Sequence, residues 1–457
     1  MKLSLSSQAT DPVLDRLKHG NLTLNAIYSG ESPDRQPVHT VYGGAHLFAH
    51  DTAGKLARVA VRSLEEFATN GREFADALGI VATDTAQDVW LAETVYARVK
   101  EKLHREAIED FRIDFEDGFG IRPDSEEDAV AEKAAKEVAI GMKNNTLPPF
   151  IGIRIKTLNE ELKARAIRTL DVFVTTLLSE TGNKFPENFV VTLPKVTHSG
   201  QITAFVEILN LLESSLKLPE KTIKFEIMIE TTQSILNDTG QSNLQIFIKS
   251  GEGRIVAAHF GTYDYTASCN ITAAWQSMDH QACDFARHMM KVAYAGQPIW
   301  LSDGATNVMP VGPHRVTKDG PALTAEQLQE NKAVVHRAWR LAFNHVTHSL
   351  RNAFYQGWDL HPAQFPVRYA ACYAFFLDGL KPATDRLRTF IEKAAQATLL
   401  GDVFDDAATG QGLLNFFLRA LNCGAITLDE VLVTGLKLDE IQSRSFLKIL
   451  ENRKKLG

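Results

Sequence analysis

The residues with the most chemical content stand where short apolar runs end. Asp114-Phe-Glu-Asp117 closes one such run with three carboxylates in four positions. Glu230 ends the run 224–229, and Asp264 follows the run 254–260. Two carboxylates delivered from neighbouring strand ends, with water and substrate oxygens, suit a hard cation such as Mg²⁺ or Mn²⁺. Two solvated capping acids are the alternative. Arg154 lies inside Ile151-Gly-Ile-Arg-Ile155. A guanidinium among apolar neighbours needs an anionic partner, so Arg154 is either a structural ion pair or an anion clamp. Lys195 closes Leu193-Pro-Lys195, where it senses substrate charge or pairs with a carboxylate. His361, in Trp358-Asp-Leu-His-Pro362, is a ligand, a base or a satisfied structural histidine.

Such strand ends do chemistry when the strands are parallel and their C-terminal ends converge. The chain alternates short β-branched or aromatic runs with segments of helical period. Strands are expected at 38–42, 111–115, 150–155, 189–193, 224–229, 254–260, 298–301 and 353–358. Helices are expected between them, including 51–78, 85–105, 125–143, 160–181, 201–216, 232–251, 279–294 and 324–343. That order predicts an α/β fold, a (β/α)8 TIM barrel. A doubly wound sheet is the alternative, but Tyr42-Gly-Gly-Ala-His46 matches its Gly-rich phosphate loop poorly. The stretch 302–320 reads as a long loop after the seventh strand, and long loops in compact domains are often functional. Beyond Pro362 the expected elements are all helical: 365–380, 384–399, 412–421, 428–433 and 438–450. The organisation expected is an N-terminal segment 1–36, a barrel 37–362 and a helical C-terminal extension 363–457.

Composition narrows the function classes. The 457 residues carry 49 basic and 56 acidic side chains, a formal charge of −7, with no basic block of the kind nucleic-acid proteins show. Cys269, Cys283, Cys372 and Cys423 lack CxxC spacing, which argues against structural zinc and a disulfide framework and for a reducing compartment. The first twelve residues are polar and lack the apolar region of a signal peptide. No apolar run approaches the roughly 18 to 20 residues of a membrane span. The expectation is a cytoplasmic protein without nucleic-acid or membrane partners, and a homo-oligomer on base rates.

The strand ends together resemble a superfamily that includes the HpcH/HpaI-type oxo-acid aldolases, the citrate lyase β-subunit, malyl-CoA lyases and, more distantly, malate synthases. Asp114-Phe-Glu-Asp117 resembles its acidic second-strand signature, and Ile153-Arg-Ile-Lys156 its arginine motif. Leu193-Pro-Lys-Val196 is similar to the fourth-strand motif. Met228-Ile-Glu-Thr231 and Phe260-Gly-Thr-Tyr-Asp264 resemble the metal-glutamate and metal-aspartate motifs, and Gly357-Trp-Asp-Leu-His-Pro362 the final His-Pro segment. The likeness covers about residues 38 to 370. Two departures stand out. His39-Thr-Val-Tyr-Gly-Gly-Ala-His46 has no arginine where citrate-lyase-like members carry an Arg-Ser pair for substrate and CoA. The second-strand motif lacks the histidine base of the free oxo-acid aldolases.

The resemblance implies a phosphoenolpyruvate/pyruvate-type barrel and a metal-dependent carbon–carbon lyase acting on a small oxo acid or acyl thioester. Glu230 and Asp264 would hold Mg²⁺ (or Mn²⁺), and Arg154 would help stabilise an enolate. Asp117 or Glu116 is the first candidate for the base, His361 or His46 the second. Lys195 would balance the anionic site. The C-terminal helices could play the plug of a malate-synthase-like condensing enzyme. Two rivals are a Schiff-base aldolase using Lys195 and a non-catalytic barrel that binds a small carboxylate.

Overall fold

The computed structural model describes residues 4–80, 83, 85–316, 320–392, 398–400, 403–405 and 407–456. Eight parallel strands close a barrel in sequence order. They are β1 (His39–Gly44), β2 (Asp110–Asp114), β3 (Phe150–Arg154), β4 (Phe189–Leu193), β5 (Lys224–Ile229), β6 (Ile255–Phe260), β7 (Trp300–Ala305) and β8 (Gln356–Asp359). The expected (β/α)8 barrel is the observed fold. The seam pairs β1 with β8, and there His39 Nδ1 lies 2.8 Å from Asp359 Oδ2.

Helices pack around this barrel. α1 (Ser7–Ile27) precedes it and buries no residue. α2 (Thr52–Phe67), α3 (Gly71–Leu78) and α4 (Ala86–Glu106) follow β1. The sequence pattern predicts one helical stretch over 51–78, but the chain breaks at Asn70, whose side chain accepts from Glu73 N (2.9 Å) and starts a new helix. α5 (Asp124–Asn144), α6 (Lys163–Thr181) and α7 (Ser199–Ser215) cover β2 to β4. The helix expected at 232–251 is two, α8 (Thr232–Ile235) and α9 (Asn243–Ser250). Asn237 Oδ1 accepts from Thr239 N and Gln241 N and, with Gly240 at φ 76°, folds a turn that a helix cannot cross. α10 (Thr262–Ser268), α11 (Gln281–Tyr294), α12 (Ala325–Arg351) and α13 (Phe365–Asp378) complete the ring. α13 packs against α12 and α4 and is buried almost throughout, so it closes the barrel's outer layer between last and first strands.

Two strand boundaries differ from expectation for clear reasons. β7 runs to Ala305 rather than ending at 301. Its Ser302-Asp-Gly stretch reads as loop, yet Asp303 is buried in an ion pair with Arg287 (3.0 Å) and accepts from the Ser349 hydroxyl. β8 starts at Gln356, because Ala353 adopts a left-handed φ of 60° just after α12. Beyond α13 come α14 (Leu380–Glu392), β9 (Thr398–Leu400), β10 (Val403–Asp405), α15 (Ala407–Asn422), α16 (Leu428–Leu432), α17 (Leu438–Ser443) and α18 (Phe446–Leu456). The expectation of helices alone is therefore corrected: β9 and β10 form a short antiparallel pair. Residues 393–397 of the helix expected at 384–399 lie outside the described residues, as do 317–319 of the expected loop. Among the described residues no helix is long and apolar enough to cross a membrane.

The barrel interior is polar in its lower layer. Side chains alternate along a strand, so Asp110, Arg112 and Asp114 share one face of β2, and Glu226, Met228 and Glu230 one face at β5. Arg112 donates to both oxygens of Glu226 (2.8 and 2.9 Å) and also bonds Asp110. Thr40 donates to Asp110 (2.8 Å), and His259 Nε2 lies 2.9 Å from Glu226. All five are buried. Charges this deep persist only when paired.

Candidate active site

Asp114, the last residue of β2, shapes the loop that follows. Its carboxylate accepts from Glu116 N (2.9 Å) and Gly118 N (2.7 Å), which curls Phe115–Gly118 over the strand end. β2 and β3 pair Asp114 with Arg154 in register. Arg154 then donates from Nε and Nη2 to the two Asp114 oxygens at 2.8 and 2.6 Å. Its guanidinium lies 4.7 Å from the Tyr42 ring centre and 5.6 Å from that of Trp358. Of the two readings open for Arg154, the structural ion pair is present. The third nitrogen, Nη1, stands 3.2 Å from Glu116 Oε2. Lys156 supports the same loop, donating to Phe115 O (2.6 Å) and pairing with Glu127 (2.8 Å).

Lys195 ties the remaining acids together. It follows β4 in a left-handed conformation, φ 50°, which costs a non-glycine residue about 1–2 kcal/mol. That conformation accompanies a backbone bond: Lys195 N donates to Glu230 Oε1 at 2.7 Å. The ammonium bonds Glu116, lies 3.2 Å from Asp117 Oδ2 and 3.6 Å from Asp264 Oδ2. Burial opposes its charge, yet the carboxylates of Glu230, Glu116 and Asp264 outweigh burial and hold it above the ordinary lysine value. An amine nucleophile needs the opposite shift.

Glu230 is 1% exposed, while the Asp264 side chain, in the first turn of α10, is 43% exposed. Burial, then the charge of Asp264, pushes the Glu230 carboxyl up to about 8. A Cβ at position 261 would collide with Glu230 Oε2, so glycine is required where β6 passes this carboxylate. Burial also raises Glu116 above the usual carboxylate range, against the pull of Arg154 and Lys195. For Asp117, 59% exposed, those same cations outweigh burial and lower it.

The candidate bases differ in placement. Glu116 and Asp117 belong to the cluster. His361 caps the turn after β8, its Nδ1 accepting from Ala363 N at 3.1 Å, and burial followed by the charge of Arg315 lowers it. The cap engages Nδ1. His46, after β1, packs on Phe119 with ring centres 5.7 Å apart. Its Nδ1 is buried and has no hydrogen-bond partner. Thr262 Oγ1 and Trp358 Nε1 are orphaned in the same way, and Glu116 Oε2 accepts no hydrogen bond although Arg154 Nη1 faces it at 3.2 Å. All four sit at or just beyond the C-terminal ends of β1, β2, β6 and β8, where a ligand would supply partners.

The donor chemistry at Glu230 and Asp264 fits a divalent cation. A buried carboxyl whose charge is opposed by a neighbouring carboxylate is relieved by positive charge between them. No group of three or more His, Cys, Asp or Glu among the described residues could hold a metal. A metal here would take two protein carboxylates and complete its shell with water and substrate oxygens, as Mg²⁺ commonly does.

Comparison with known proteins places the chain. A family model described as a domain of unknown function, DUF6986, matches residues 17–449. The chain belongs to that family. No curated protein matches this chain in sequence. A solved citrate lyase from Burkholderia xenovorans superposes with a TM-score of 0.54 at 14% identity, covering 88% of this chain and 97% of that one. CitE of Mycobacterium tuberculosis, with magnesium, acetoacetate and coenzyme A, gives 0.47 at 13% identity, covering 85% and 99%. Haloferax volcanii malate synthase, with magnesium and glyoxylate, gives 0.47 at 13%, covering 91% and 99%. The citrate lyase match shows a shared fold.

Three residues of this cluster escape a reading of strand ends alone. Asp114 is hidden among the acids of its own motif, although its register with Arg154 identifies the partner. Tyr42 and Trp358 carry no site signal in the sequence, yet their rings, 4.5 Å apart, flank the guanidinium.

Proposed function

We propose that this protein cleaves or forms a carbon–carbon bond next to a carbonyl, on a small oxo acid or acyl thioester, with a divalent metal held by Glu230 and Asp264. The observation that carries this reading is the buried Glu230 carboxyl, raised beside Asp264 and joined through Lys195 to Glu116 and Asp117. The fold shared with a citrate lyase supports the same reaction class.

A bound Mg²⁺ would act as a Lewis acid toward charge developing on the substrate's carbonyl oxygen. The chain's own residues do the rest. Arg154, fixed by Asp114 and flanked by Tyr42 and Trp358, holds Nη1 3.2 Å from Glu116 Oε2, and Nη1 turns to the growing anion as Glu116 takes up its proton. Glu116, with its raised basicity, takes the hydroxyl proton in the cleavage direction and returns it in condensation. Lys195 stays cationic and holds Glu116, Asp117 and Asp264 in one cluster.

The test is proton NMR of methyl exchange in D₂O with protein, Mg²⁺, pyruvate and acetyl-CoA. Mg²⁺-dependent loss of the pyruvate methyl signal, abolished by Glu230→Ala, identifies an oxo-acid enolate. Loss of the acetyl-CoA signal identifies a thioester enolate and malate-synthase-like condensation. Exchange of neither, in protein that binds Mg²⁺, overturns the assignment to these units.

A further inference from the structure

A cavity of about 680 Å³ opens at the N-terminal end of the barrel, opposite the acidic cluster. Its walls are the first residues of successive strands: Phe150 of β3, Phe189 of β4, Ile255 of β6 and Trp300 of β7, with Ile299 beside them. Trp300 meets Phe150 edge-on, with ring centres 5.9 Å apart. The floor is the buried layer of Asp110, Arg112 and Glu226. Those charges already satisfy one another, with Thr40 and His259 completing the set, so the floor offers a ligand no free charge.

Charge enters only at the lip. Lys224, the first residue of β5, and Lys249, near the end of α9, both line the cavity. Lys224 donates to Gly253 O at 3.0 Å, and burial, then the charges of Arg254 and Lys221, hold its amine below the ordinary value. An anion there would relieve that crowding of positive charge. Ile27 at the end of α1 adds apolar surface to the lining, and Asp34, also in the lining, accepts from the Ser32 hydroxyl (3.0 Å).

An apolar-walled space of this size matches a small-molecule site, and water is a poor occupant of such walls. We propose that this cavity is a second ligand site, taking an amphipathic anion with its apolar body among Phe150, Ile255, Ile299 and Trp300 and its anionic group at Lys224 and Lys249. The site is independent of the reaction proposed at the other end of the barrel.

The test uses the full chain and the aromatic sulfonate 8-anilinonaphthalene-1-sulfonate. Fluorescence titration is expected to show one saturable site per chain. Ile299→Trp, which fills the cavity from its half-exposed wall, and the double change Lys224→Glu with Lys249→Glu should each weaken that site by about tenfold or more. Circular dichroism and thermal melts confirm that each variant is folded. Glu230→Ala should bind as the wild type does. Displacement by decanoate assigns an aliphatic body to the natural ligand, and displacement by 2-naphthoate alone assigns an aromatic one. Unchanged binding in both folded lip and wall variants, or loss of binding in Glu230→Ala, overturns the proposal.

Discussion

Arg154 and Asp114 are paired across adjacent strands by two hydrogen bonds, 2.8 and 2.6 Å, with both side chains 2% exposed. The pair fixes the direction of the guanidinium before any substrate arrives. Removing one partner strands a buried charge, which costs about 3–5 kcal/mol. Asp114→Ala should therefore lower stability by that amount in urea unfolding. Asp114→Asn, which keeps the shape and one acceptor, should lose less.

Arg154→Lys separates folding from chemistry. The ammonium can keep one contact with Asp114 but cannot present a second nitrogen toward Glu116. Catalysed methyl exchange should fall about 10²-fold or more, the scale of losing one donor to a developing anion, while the thermal midpoint moves little. Near-normal exchange would show that Arg154 acts only through packing.

Glu230 makes the metal-free protein sensitive to pH. Its folded carboxyl, at about 8, lies above the ordinary value of 4.5. The stability it contributes is thus fully present below about pH 4.5 and lost as pH rises toward 8. Thermal midpoints measured with chelator should fall over this window, and Glu230→Gln should flatten the fall. Added Mg²⁺ should restore stability most at the alkaline end.

Asp264→Asn and Gly261→Ala probe the same carboxylate from two sides. Asp264→Asn removes a proposed ligand and should abolish Mg²⁺ binding in calorimetry. Gly261→Ala keeps both acids but puts a methyl group against Glu230 Oε2, so it should weaken Mg²⁺ binding in a folded protein. Wild-type affinity in Gly261→Ala would show that Glu230 can rotate freely.

Lys195 should resist borohydride trapping with pyruvate or any oxo acid, since carboxylates hold it protonated. Lys195→Met should weaken the coupling between Glu116, Asp117 and Asp264. A stable adduct at Lys195, seen by mass spectrometry, would replace the metal-based reading with a Schiff-base one.

The strands were legible where local pattern and burial agree. Phe189–Leu193 and Lys224–Ile229 fall where their apolar runs place them. The end of the seventh strand was not, because Asp303 is a polar residue whose burial depends on Arg287 and Ser349, contributed by the helices before and after that strand. The acidic residues of the cluster were visible because strand ends order them in the chain. Their pairing was not: Arg154 meets an aspartate 40 residues away, and Lys195 reaches Glu116 across 79. The cavity at the opposite end leaves no motif, since each wall residue looks like ordinary core.

The clasp between His39 and Asp359 joins positions 320 residues apart. A ribosome extends the chain in order, so β1 emerges long before its closing partner exists. Until β8 arrives, β1 presents one hydrogen-bonding edge with nothing beside it, a template for pairing between nascent chains. Loop closure of this span is slow to be rewarded, since its entropic cost precedes every contact at the seam. Closure of the barrel is thus a late event in synthesis, and α13, which lies across that seam, can dock only after it.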